Sequence, residues 1–72
     1  MSFQAYIDNV EAKTGKSADA LKVIAIDKGL ADADGPAPGV KAGAIIDWLK
    51  QDYDLGHGHA MSIVAWIKGK RS

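Results

Sequence analysis

The sequence has no cysteine, only two prolines and few aromatic residues, and its charges cancel: nine Lys/Arg against nine Asp/Glu over 72 residues. Each shortage excludes something. Without cysteine there is neither a disulfide framework nor a thiolate metal site. A net charge of zero argues against a general coating protein for polyanions. No apolar run is long enough for a membrane span. No basic segment followed by an apolar stretch opens the chain, so no secretory signal is expected and a cytoplasmic location is. What is present in quantity is aliphatic and alanine-rich: 47% of the residues are hydrophobic, too many for a disordered tail. The length allows one domain, residues 1–72.

A domain of this size buries only about 60% of the surface of its unfolded chain, so nearly every large apolar residue is expected in one core. The candidates are Phe3, Tyr6, Ile7, Val10, Leu21, Ile24, Leu30, Ile45, Ile46, Leu49, Leu55, Ile63, Val64 and Ile67. Little room is left for a pocket of the usual ~300–1,000 Å³, which argues against an enzyme.

The apolar residues recur at helical spacing, so an all-α fold of four short helices is expected. Ser2 caps the first, whose stripe is Phe3, Tyr6, Ile7 and Val10, and Gly15 ends it. Ser17 caps the second, with Asp19 in its first turn. Gly29 stops it, and Leu30 folds back as in a Schellman cap. Its β-branched run, Val23-Ile24-Ala25-Ile26, is the weakest helical segment. Residues 31–38 read as a solvent-exposed loop, because two prolines and a glycine fall there. Asp32 and Asp34 do not continue into a calcium loop. The third helix is expected from about Val40 to Tyr53. The fourth is expected from Gly58 or His59 to Lys68, with Gly69 ending it.

Helices three and four echo each other, AGAIIDWLK at 42–50 and AMSIVAWIK at 60–68, as two amphipathic helices under the same packing demands would. Trp48 and Trp66 each fall on the flank of their stripe. Packing against a neighbouring helix is the favoured reading; partial exposure would make the pair a protein-interaction or self-association surface.

The least ordinary stretch is Leu55-Gly-His-Gly-His-Ala-Met61, a Gly-x-Gly turn joining the last two helices. The helix that begins there presents unpaired N–H groups and the positive end of its dipole, which suits a phosphate or carboxylate. Charge divides unequally: residues 1–36 carry four Lys and six acids, residues 37–72 five basic residues and three acids. An anion site is therefore expected in the second half, at Gly56, His57, Gly58 and His59, assisted by Lys41 and the tail Lys68, Lys70 and Arg71. If Gly58 adopts a positive φ, Gly58→Val should destabilise the fold. Two histidines two residues apart, with only Asp52 or Asp54 to join them, are too few and too divergent for zinc. No metal, no cofactor and no catalytic group is expected.

The turn resembles that of the helix-hairpin-helix DNA-binding motif, in which glycine amides and a helix N-terminus hold phosphates without reading bases. Here His57 replaces the apolar residue usual between the glycines, and Ser62 takes the place of a small residue. Over nearly its whole length the chain resembles a bacterial family known as a domain of unknown function. The resemblance rests on Ser2-Phe-Gln-Ala-Tyr-Ile-Asp-Asn-Val10, Lys13-Thr-Gly-Lys-Ser17, Gly39-Val-Lys-Ala42, Trp48-Leu-Lys50 and Leu55-Gly-His-Gly-His-Ala-Met61. It implies a small helical domain and supplies no activity or ligand. The expected function is a non-enzymatic binding module for a nucleic-acid backbone or another anion. The alternative is a protein-interaction or self-association module using Trp48 and Trp66.

Overall fold

A computed structural model describes residues 2–71. Four helices run α1 Phe3–Thr14, α2 Ala18–Asp27, α3 Ala42–Tyr53 and α4 His57–Ile67. The first two begin where serine can accept from an otherwise unpaired amide: Ser2 Oγ accepts from Ala5 N–H at 3.2 Å and Ser17 Oγ from Ala20 N–H at 3.1 Å. Gly15 closes α1 in the left-handed conformation, with φ at 73°. The expected Schellman cap forms after α2: Leu30 N–H donates to Ala25 O at 2.9 Å, and Gly29 N–H to Ile26 O at 3.0 Å. The same pair of bonds closes α4, from Lys70 N–H to Ala65 O and from Gly69 N–H to Trp66 O.

The β-branched run of α2 is helical throughout. Its propensity cost, a few tenths of a kcal/mol per residue, is offset by the caps and by complete burial of Leu21 and Ala25.

The segment after α2 departs from expectation. It is not a plain exposed loop: Ala31–Asp32 (β1) pairs antiparallel with Gly35–Pro36 (β2), Ala31 opposite Pro36. Asp32 Oδ1 accepts from the amides of Asp34 at 2.9 Å and Gly35 at 3.1 Å, tying the turn, and Ala31 and Gly35 are buried. Lys22 Nζ holds the hairpin tip through Ala33 O at 2.9 Å. Strands of two residues are too short to show an alternation, which is why the pattern was invisible in the sequence.

α4 lies at the centre, packed against α1, α2, α3 and β2. Ala60, Ile63 and Ile67 are fully buried, as are Leu21, Ile45, Leu49 and Val10 on the surrounding helices. Of the expected core, Phe3, Tyr6, Ile24, Leu30 and Ile46 are half-buried at its edge. Two ring contacts set the direction of α1 on α4: Phe3 stacks on Trp66, and Tyr6 meets His59 edge-on. Rising numbers in one helix therefore face falling numbers in the other, so the two run antiparallel.

Candidate functional site

The link between α3 and α4 is three residues long, and its geometry is set by Asp54 rather than by a glycine. Asp54 is the one non-glycine with a positive φ among the described residues, at 54°. Aspartate tolerates this left-handed position better than most side chains. Its amide donates to Lys50 O at 3.1 Å, and Leu55 N–H reaches back to Leu49 O at 3.4 Å. Leu55 then drops into the core, 3% exposed.

Gly56 follows as the N-cap of α4 with φ at −69° and ψ at 164°. The Gly-x-Gly segment is thus not the turn itself. His57 and Gly58 already belong to the helix, which starts one or two residues earlier than expected. Gly58 is absent from the positive-φ residues, so the strain expected of Gly58→Val has no backbone origin. A Cβ at Gly58 would lie 3.5 Å from Tyr6 Cε1, an ordinary contact. Gly58→Ala is expected to raise stability by about 0.5–1 kcal/mol, because alanine loses less backbone entropy in a helix; thermal melting of the two proteins checks this. Nor does the residue between the glycines enter the core as in the helix-hairpin-helix motif. His57 is exposed and Leu55 fills that role.

The first turn of α4 carries no side-chain cap. The first intrahelical bond is Ala60 N–H to Gly56 O at 2.9 Å. The amides of His57, Gly58 and His59 have no acceptor among the described residues. Gly56, His57 and Gly58 are exposed. The half-buried His59 ring packs against Tyr6, centroids 5.1 Å apart at 68°, with its Nε2 buried and without a hydrogen-bond partner. Ser62 is buried and its Oγ donates to His59 O at 2.6 Å. Asp52 and Asp54 are exposed beside the link. Positive potential at this spot comes from the helix terminus, and these two carboxylates oppose it.

The lysines and arginine nominated from the sequence do not join it. α4 is 11 residues long, so at about 1.5 Å per residue Lys68, Lys70 and Arg71 stand on the order of 16 Å away, beyond its other end. Lys41 is the N-cap of α3 and is separated from the link by the full length of that 12-residue helix, roughly 18 Å. Proximity in sequence composition did not translate into proximity in space, because each helix holds its two ends apart.

The tail instead meets α1. The Arg71 guanidinium carbon lies 3.8 Å from the centroid of Trp66, and Lys70 Nζ lies 5.2 Å from that of Phe3. Phe3 and Trp66 are stacked, 6.5 Å apart and 16° from parallel. Trp66 Nε1–H donates to Asp19 Oδ1 at 2.8 Å. Phe3 and Asp19 are site neighbours that helix periodicity alone could not nominate, since each sits on another helix.

The two tryptophans have different fates. Trp48, 8% exposed, belongs to the core and packs edge-on against Tyr53 at 5.8 Å. It has almost no face to offer a partner, which corrects its assignment to a partner surface. Trp66 is half-buried between Phe3 and Arg71. Exposed aliphatics occur elsewhere, at Val23, Ile26 and Met61. Among the described residues no group of three potential metal ligands comes together, and no helix is long and apolar enough to cross a membrane.

These features define a small helical domain with an uncapped helix terminus at one end of α4 and a cation–aromatic cluster at the other. The chain belongs to the DUF4287 family, a domain of unknown function, whose model matches residues 2–69. No curated protein and no solved structure matches it.

Proposed function

We propose that this chain is a non-enzymatic, cytoplasmic binding module of bacteria that takes an anion, most aptly the phosphate of a nucleic-acid backbone, at the N-terminus of α4. One observation carries the reading: consecutive amides at His57, Gly58 and His59 sit on an exposed, uncapped helix end with no acceptor among the described residues. Such amides gain a charge-assisted bond from a phosphate oxygen, and the helix dipole favours negative charge there. Glycine at positions 56 and 58 keeps the approach free of side chains. The contact is to backbone and carries no base sequence.

The alternative, a protein-interaction surface built on both tryptophans, loses Trp48 to the core. The test is a titration of the protein with inorganic phosphate at low salt, followed by amide NMR. Saturable shifts are expected to be largest at His57, Gly58 and His59. Shifts confined to the C-terminal tail, or none that saturate, would remove the site.

A further inference from the structure

We propose that the opposite end of α4, where Phe3, Trp66, Lys70 and Arg71 meet, is a second binding surface, and that its ligand is a single-stranded nucleic acid. This goes beyond the amide site and stands on different residues.

The platform is held in place before any ligand arrives. The bond from Trp66 Nε1–H to Asp19 Oδ1 fixes the plane of the indole, and Phe3 stacks with it. Arg71 is held as well: its Nη1 donates to Trp66 O at 2.9 Å and to Lys70 O at 2.8 Å, which lays the guanidinium over the indole at 3.8 Å. The Nε and Nη2 donors of Arg71 make no bond among the described residues. Lys68 and Lys70 are exposed on either side of Gly69. Asp19, which faces the cluster from α2, is engaged by the indole.

Phe3 and Arg71 cover the indole, so what this arrangement offers a ligand is the outer face of a preordered guanidinium, with the exposed Lys70 beside it. A base can stack on such a guanidinium face whatever its sequence, while its phosphates meet Lys70 and the outer donors of Arg71. A duplex keeps its base faces stacked on one another and cannot use the platform, so the fit is to a single strand. The charge of the surface is complementary to the ligand even though the chain as a whole is neutral.

The experiment uses the full chain and a fluorescein-labelled dT12 oligonucleotide, with anisotropy read at 50 mM salt and above. Wild type is expected to bind, with a preference over a duplex of the same length. The double variant Lys70→Ala/Arg71→Ala alters only exposed tail residues; it gives up the cation–aromatic contacts with Phe3 and Trp66, so its melting temperature should fall by several degrees while the domain stays folded at the assay temperature. It is expected to bind about tenfold more weakly or worse, the low end of the loss of one stacked base. The slope of log affinity against log salt should flatten by about 1.4, for two phosphate contacts at ~0.7 each.

No binding of dT12 by wild type, a double variant that binds like wild type, or a duplex bound as tightly as the single strand would each overturn the proposal. Binding that survives in the double variant but is lost in Gly56→Asp would sink this surface and leave the amide site standing. The reverse would sink the amide site alone.

Discussion

Replacing Leu49 with alanine is expected to lower stability by about 3 kcal/mol and to cut the melting temperature by at least about 12 °C. Leu49 is fully buried on α3, and its neighbours in the core, Ile45, Ile63 and Ile67, are too. Truncation there removes the transfer energy of the lost methyl groups and leaves a cavity, a combined cost of roughly 2.7–5 kcal/mol in well-packed cores. A chain of 72 residues at ~0.05–0.15 kcal/mol per residue has only about 4–11 kcal/mol to lose. With no disulfide available, nothing outside the core makes up the difference. Each kcal/mol moves the midpoint of a domain this small by roughly 4–8 °C. Met61→Ala is the matching control. Met61 is 51% exposed on α4, so its truncation should change stability by no more than about 0.5 kcal/mol. Denaturant melts of both variants measure the contrast. A Leu49→Ala protein that melts like wild type would mean that α3 does not seat on α4 as described.

Gly56→Asp is expected to move stability and binding in opposite directions. Gly56 has the backbone conformation of an N-cap, and a Cβ there would meet nothing within 4 Å. Aspartate can take up that position without strain and accept from the amides of Gly58 or His59. The added cap and its negative charge at the positive end of the dipole should stabilise the domain by about 0.5 kcal/mol. The same carboxylate occupies the donors that a phosphate would use and repels it. Phosphate affinity should fall at least about tenfold, which is 1.4 kcal/mol. Because the variant folds at least as well as wild type, the loss cannot be assigned to unfolding. Gly56→Ala supplies no competing acceptor and should keep the affinity of wild type. Isothermal titration beside thermal melts reads both quantities. An Gly56→Asp protein that still binds phosphate at full strength would show that the α4 terminus is not where the anion sits.

The helices themselves were legible in the sequence because their signals are local. Ser2 and Ser17 bond amides three residues away, Gly15 and Gly29 supply left-handed caps, and apolar residues at i, i+3 and i+4 mark each buried face. α4 starts one or two residues before the position its glycines suggest, because glycine reads as a turn signal whereas the left-handed residue of this link is Asp54. The paired helices 42–50 and 60–68 were also legible as equivalents. Ile45 and Ile63, and likewise Leu49 and Ile67, occupy matching positions and are equally buried.

What no local pattern could decide was which ends share a side of the molecule. Composition grouped Lys41, Lys68, Lys70 and Arg71 with the Gly56–His59 segment, yet rigid helices of 12 and 11 residues hold them apart. Trp48 and Trp66 share a flank position on the helical wheel. Only the neighbours differ: Tyr53 and the core beside Trp48, Phe3, Asp19 and Arg71 beside Trp66. Residue order sets propensity, caps and the apolar stripe within each helix, since those depend on atoms a few bonds to a turn away. The union of Phe3 with Trp66 and Arg71 came from the antiparallel seating of α1 on α4, because contacts across more than sixty residues exist only once the core has packed.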